Sequence, residues 1–258
     1  MRLKHSKKCK TAIIKMIGLK NKILELIFAK YHQWIESETF HCHRGCSLCC
    51  TQNVMITAVE GQYIYNYILL ENKEKWFADK LLQKRQTQNV NLTTNGFARM
   101  CLEKNAEHTE LEQLQRKEIC PFLEEKCCTL YGVRPFSCRS FASTKYCNDY
   151  GSAHLNERLL VINTVTMQLI EHLGQKGYWG NMLDVLLALA HHKVNEAVKT
   201  HISDDERVQS AIRNTLTAEP IPGFLLRQEE ENEVNQYLQT VLSAKIGIKT
   251  IEEIFNNK

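Results

Sequence analysis

Apolar residues in this chain recur every three or four positions and rarely alternate, which predicts helices. Ile13, Ile17, Leu24, Ile27, Tyr31 and Trp34, with Lys and Glu between them, predict an amphipathic helix over about 10–36. Its wide apolar face favours packing into a core over lying on a membrane surface. Thr57, followed three positions later by Glu60, reads as a capping box. It starts a helix through Tyr63, Tyr67 and Leu70. A polar helix restarts after Asn72 through Trp76, Leu81 and Leu82. Asn89 to Asn95, rich in Asn and Thr, reads as a break, and Phe97 to Lys117 resumes helical spacing.

Downstream, His154 to Gln175 places Leu155, Leu159, Ile162, Val165 and Leu169 on one side of a helix. Gly174, Gly177 and Gly180 then make a turn, and Met182 to Thr200 is strongly apolar. Ser203-Asp204-Asp205-Glu206 starts another helix with acids in its first turn. Pro220-Ile221-Pro222-Gly223 breaks the chain, and two short helices, about 228–244 and 250–256, finish it. No sustained alternation predicts a sheet. The fold class is therefore mostly α, a helical scaffold enclosing an irregular cysteine-rich lobe, expected to be metal-binding on the cysteine spacing given below. Its parts are a basic amphipathic helix (1–40), a cysteine-cluster region with inserted helices (41–151), and a helical region packed on it (152–258).

The chain has 258 residues, enough to bury a real core without disulfides. The apolar stretch near the start is broken by Lys15, Lys20 and Lys22, and no small-residue cleavage site follows, so no signal peptide is read. No window has the length and purity of a membrane span. The expected location is the cytoplasm, where thiols stay reduced. Residues 1–30 hold nine Lys or Arg against one acid, a net +8, which leaves −4 for the rest of a +4 chain. That asymmetry reads as a solvated basic face on the first helix, with an anionic partner for the basic end as the alternative.

Cysteine usage changes the picture. Of eleven cysteines, nine fall in two blocks. The first is Cys42-His43-Arg44-Gly45-Cys46-Ser47-Leu48-Cys49-Cys50. The second runs from Cys120-Pro121-Phe122-Leu123 through Cys127-Cys128-Thr129-Leu130-Tyr131 and Arg134-Pro135-Phe136-Ser137-Cys138-Arg139 to Cys147. Cys46 and Cys49 have the spacing of a chelating turn. Adjacent side chains diverge by about 180° in a strand and roughly 100° in a helix, so Cys49 and Cys50 suit different ions or different roles. The surplus of thiols argues for two tetrahedral sites or for one polynuclear cluster bridging both blocks. Clustered cysteines in a reducing compartment point to metal ahead of disulfides. Arg44, Arg134 and Arg139 are placed to offset thiolate charge and to donate to sulfur. Cys9 and Cys101 read as small buried hydrophobes. His41 and His43 read as polar loop residues, and His191 and His192 as core-edge or surface residues.

The two blocks resemble the YkgJ-type cysteine-cluster family, the CxxCxxCC zinc- or iron-chelating domain. The matching residues are Cys42, Cys46, Cys49 and Cys50, then Cys120-Pro121-Phe122-Leu123, Cys128-Thr129-Leu130-Tyr131, Arg134-Pro135, Cys138-Arg139-Ser140-Phe141 and Cys147. The match covers roughly 40–150. Here the gap between Cys42 and Cys46 is one residue longer than the family label's, and Cys127 is an extra thiol beside Cys128. The resemblance implies metal binding through Cys42, Cys46, Cys49, Cys50, Cys120, Cys128, Cys138 and Cys147. It names neither the metal nor a reaction, so zinc and an iron–sulfur cluster both stand.

An enzyme is the competing class, and the chain is also similar to flagellin lysine methylases, which share such a cysteine block. That similarity implies methyl transfer from S-adenosylmethionine. Cys42, Cys46 and Cys49 coincide with a radical S-adenosylmethionine cluster motif as well, but no strands are predicted to build the barrel those enzymes use. Gly174, Gly177 and Gly180 do not have the glycine spacing of a cofactor loop. Finger spacings are absent and aromatics are not interleaved with the basic residues, which argues against nucleic-acid binding.

Overall fold

The computed structural model describes residues 2–43, 45–83, 91–103, 118–147 and 153–256, with side chains in the first helix described from Gly18 onward. Helix α1 (Arg2–Trp34) follows the predicted periodicity and extends further toward the N-terminus. Ile23, Leu24, Ile27, Phe28 and Tyr31 lie on its buried face, so this part packs into the core as expected. Ile13, Ile17 and Cys9 have side chains outside the described set.

After the first cysteine block, strand β1 (Met55–Thr57) leads directly into α2 (Ala58–Leu70). The capping box is present: Glu60 N–H donates to Thr57 Oγ1, and Thr57 N–H donates to Glu60 Oε2 at 2.8 Å. Helices α3 (Glu74–Leu81) and α4 (Thr94–Leu102) follow. The expected break at Asn89 to Asn95 lies partly outside the described residues, and its last two positions already belong to α4. Most of the helical stretch expected up to Lys117 also lies outside them.

The second cysteine block contains strands β2 (Leu123–Glu124) and β3 (Cys127–Cys128) and the short helix α5 (Phe136–Ser140). Beyond it run α6 (Glu157–Leu173), β4 (Tyr178–Asn181), α7 (Met182–Ala190), α8 (Glu196–Lys199) and α9 (Asp205–Arg213). Then come β5 (Leu216–Thr217), α10 (Gln228–Leu242), β6 (Lys245–Ile246), β7 (Lys249–Thr250) and α11 (Ile251–Phe255).

The molecule is mostly helical, as the pattern predicts. Among the described residues, three small sheets correct the expectation of none. One is antiparallel in the order β1-β4-β5, with Met55 opposite Asn181 and Thr57 opposite Trp179; β2-β3 and β6-β7 are hairpins. These strands are two to four residues long, too short to carry a readable alternation. The glycine turn expected at 174–180 is half turn and half β4.

Two apolar cores result. The first joins α2, α3, α7 and α9 around Tyr65, Phe77, Leu186 and Val208, and Phe122 and Leu130 from the cysteine region enter it. Tyr65 Oη donates to the Leu186 carbonyl at 2.7 Å, and Gln62 and Asn195 exchange side-chain amide bonds beside it. The second joins α1, α6, α10 and α11 around Tyr31, Ile162, Leu169 and Tyr237, and Phe136 enters it. Aliphatic side chains make up most of both, with a few fully buried aromatics among them. The cysteine region lies over the seam, contributing residues to each core.

Candidate metal centre

The first block is a chain of tight turns. Cys46 N–H donates to the His43 carbonyl, Cys50 N–H to the Ser47 carbonyl, and Thr51 N–H to the Cys49 carbonyl. Gly45 sits at φ +89°, a left-handed conformation that favours glycine.

The second block is scaffolded from several sides. Glu125 and Lys126, both at positive φ, make the two-residue loop of the β2–β3 hairpin, which sets Leu123 opposite Cys128 and Glu124 opposite Cys127. Thr129 N–H and Oγ1 both donate to the Phe122 carbonyl, closing its base. Helix α5, which carries Cys138, is tied to the β1–α2 junction. Phe136 N–H donates to Glu60 Oε1 at 2.8 Å, and Ser137 Oγ donates to the Met55 carbonyl at 2.6 Å. One buried carboxylate thus caps α2 and fixes α5. The capping box revealed Glu60's first role; no local signal marks the second.

The two blocks lie side by side. Cys120 N–H donates to the Cys50 carbonyl and Gln52 N–H to the Glu118 carbonyl, both at 3.0 Å. Thr51 and Ile119 form an isolated antiparallel bridge. At the far end, Ser143 N–H donates to Cys42 Sγ at 3.2 Å and His41 N–H donates to the Ser143 carbonyl at 2.9 Å. Nothing in the sequence singles out Ser143.

The thiols fall into neighbourhoods. Cys120, Cys128 and Cys138 are half-buried and pack against the first core. Burial pushes the Cys120 thiol up to about 11. Burial, reinforced by the sulfurs of Cys120 and Cys128, holds Cys138 far above its usual range, while Arg134 pulls against it. The Cys49 and Cys50 thiols are hydrogen-bonded; the bond raises Cys49 and lowers Cys50, which also feels Cys138, Cys128 and Cys120. Burial raises Cys46, and the nearby sulfurs of Cys42 and Cys147 raise it further. Cys127, on the alternate face of β3, takes no part in either neighbourhood, whereas Cys128 faces Cys120 and Cys138.

Every cysteine whose side chain is described, Cys42 through Cys147, is free. Among those residues no three Cys, His, Asp or Glu side chains are grouped tightly enough to hold an ion as they stand. The donor chemistry fits a thiophilic metal, and rotation about χ1 between staggered wells is the adjustment such binding asks of an unbranched side chain.

The arginines differ from expectation. Arg139 Nε donates to the Arg134 carbonyl and Nη2 to the Gly132 carbonyl, both at 2.8 Å, and its guanidinium lies 4.3 Å from the Phe28 ring centroid. Those donors brace the loop instead of meeting sulfur. Arg134 stacks 3.9 Å from the Tyr131 centroid, and its charge reaches Cys49, Cys128 and Cys138. Both arginines line a groove of about 270 Å³ with His32, Glu38, Phe40 and Ala142. Arg44 lies outside the described residues. His41 packs on Tyr146 with centroids 4.2 Å apart, and His191 and His192 are exposed. Cys101 is half-buried, less enclosed than expected.

No family model, no curated protein and no solved structure matches this chain. Among the described residues no helix is long and apolar enough to cross a membrane.

Proposed function

We propose that this chain is a metal-binding protein of the YkgJ-type cysteine-cluster class, holding zinc or an iron–sulfur cluster in the cytoplasm. Its ligands are drawn from Cys42, Cys46, Cys49, Cys50, Cys120, Cys128, Cys138 and Cys147. The observation that carries this reading is the juxtaposition of the two blocks. Ser143 meets the Cys42 sulfur across 101 residues of sequence, while Cys120 bonds to the backbone of Cys50. A divalent cation would displace the thiol protons and offset the charge of the thiolates it gathers. Arg134 supplies part of the positive charge that a tetrathiolate site needs around it.

Anaerobic purification followed by elemental analysis and a visible spectrum tests this. Zinc in a colourless protein supports the zinc form, and brown protein with matched iron and sulfide supports the cluster form. Cys138→Ser is expected to lower metal content and the unfolding midpoint together, since binding free energy at such sites is folding free energy. A folded wild-type preparation carrying neither zinc nor iron refutes the reading.

A further inference from the structure

We propose that the groove between the end of α1 and helix α5 binds a small organic oxyanion, a carboxylate or phosphate monoester carried on an apolar body. This site goes beyond metal binding and does not rest on it, since the groove takes its ligand whether or not the thiols hold an ion.

The cationic part of the lining comes from the second cysteine block. Arg134 and Arg139 both line the groove, and neither has an ion-pair partner among the described residues. Arg134 is half-buried, yet its guanidinium donates no hydrogen bond to a described residue and only stacks on the Tyr131 ring, 3.9 Å from the centroid. Its Nε is enclosed without a partner, so bond-making falls to the two terminal nitrogens. Arg139 commits Nε and Nη2 to the Arg134 and Gly132 carbonyls, which leaves Nη1 for a ligand. Those two bonds and the Phe28 ring, 4.3 Å away, hold the Arg139 guanidinium in place. A fixed guanidinium offers an oxyanion both charge and directed N–H donors.

Two carboxylates share the lining without cancelling this charge. Glu38 Oε1 accepts from Arg158 Nη1 at 2.7 Å and its Oε2 from Asn156 Nδ2 at 3.1 Å, so its charge is committed to the start of α6. Glu36 is exposed, where water and salt screen it. His32, also exposed, adds a ring nitrogen from the last turn of α1. Ile35, Phe40 and Ala142 supply the apolar part, and Ile35 and Phe40 are anchored in the second core. At about 270 Å³ the groove falls just below the roughly 300–1,000 Å³ of pockets that enclose drug-sized molecules, so its occupant is small. Unpaired guanidinium groups beside an apolar wall favour an organic anion over an inorganic one, because burial of the apolar body adds to the ionic contact.

Isothermal titration of the intact wild-type chain in chloride buffer tests this, with phenyl phosphate, benzoate, inorganic phosphate and benzyl alcohol as probes. Saturable one-site binding is expected for phenyl phosphate or benzoate, weaker binding for inorganic phosphate, and none for benzyl alcohol. Whichever organic anion binds more tightly identifies the charged group the site prefers. Arg134→Gln is expected to weaken that binding about tenfold or more, the loss of a charged hydrogen-bond donor. Glu36→Gln is expected to strengthen it by removing a like charge. Ala142→Leu narrows the groove while keeping both guanidinium groups, and is expected to weaken binding as much as Arg134→Gln does. A thermal melt reports whether each variant is folded, and if Arg134→Gln is not, Ala142→Leu decides. No saturable binding of any of the three anions to folded wild type overturns the proposal. So does benzyl alcohol binding as tightly as phenyl phosphate, or full-strength binding in folded Ala142→Leu.

Discussion

Glu60 and Glu171 are buried carboxylates without a cationic hydrogen-bond partner, and each substitutes backbone N–H groups for one. Glu60 accepts from Thr57 and Phe136, and Glu171 accepts from Asn95 at 2.8 Å and Glu219 at 2.9 Å. Removing such an acceptor strands buried donors, so Glu60→Ala is expected to cost about 2–4 kcal/mol in urea unfolding. Burial raises the Glu171 carboxyl above its ordinary 4.5, and the nearby Glu219 adds to the rise. The folded state then holds its proton more tightly than the unfolded chain does. The stability linked to that proton is fully present below 4.5 and is lost as pH rises through the folded value. Urea midpoints measured across this window should fall more steeply with pH in wild type than in Glu171→Gln. An equal slope in both would show that Glu171 does not carry the dependence. The sequence made Glu60 visible through its spacing to Thr57, but Glu171 reads there as one more polar position on an amphipathic helix.

At the scale of elements, the long amphipathic helices were legible because 3.6-residue periodicity is a local property of the chain. The small sheets were not, because pairing partners such as Ile56 and Gly180 lie far apart in sequence. The β2–β3 hairpin shows what a local rule misses. Glu125 and Lys126 adopt left-handed backbone at φ 47° and 61°, where Asn-Gly would be the readable signal. Lys126→Gly relieves that strain and should stabilise the fold by about 0.5–1 kcal/mol, as read from the thermal midpoint. The α2–α7 crossing makes the opposite prediction. A Cβ on Gly61 would come within 2.5 Å of Leu189 Cδ1 and 3.4 Å of Val185 Cγ1. Gly61→Val is therefore expected to destabilise by about 2 kcal/mol or more through overpacking, and a neutral result in denaturant titration would place the helices further apart.

For the whole molecule, the cysteine region contributes to two cores, each assembled from segments that precede and segments that follow the second cysteine block. Phe122 and Leu130 enter one core, and Phe136 enters the other. Under the proposed function, a metal held by residues along this seam stabilises both. Chelation is then expected to lower the thermal midpoint of wild type, with restoration on adding back zinc. A midpoint indifferent to chelator would separate the thiols from the stability of the fold. The amino-acid sequence by itself determined where the helices run, where the first cap falls and which nine thiols stand in two blocks, because each depends on residues within a few positions of one another. Only the tertiary structure decided that Cys128 and not Cys127 turns toward Cys120 and Cys138, that Glu60 reaches α5, and that Ser143 meets Cys42. Those contacts depend on where the chain returns after long excursions, which is set by the burial of both cores together and leaves no mark on the local pattern.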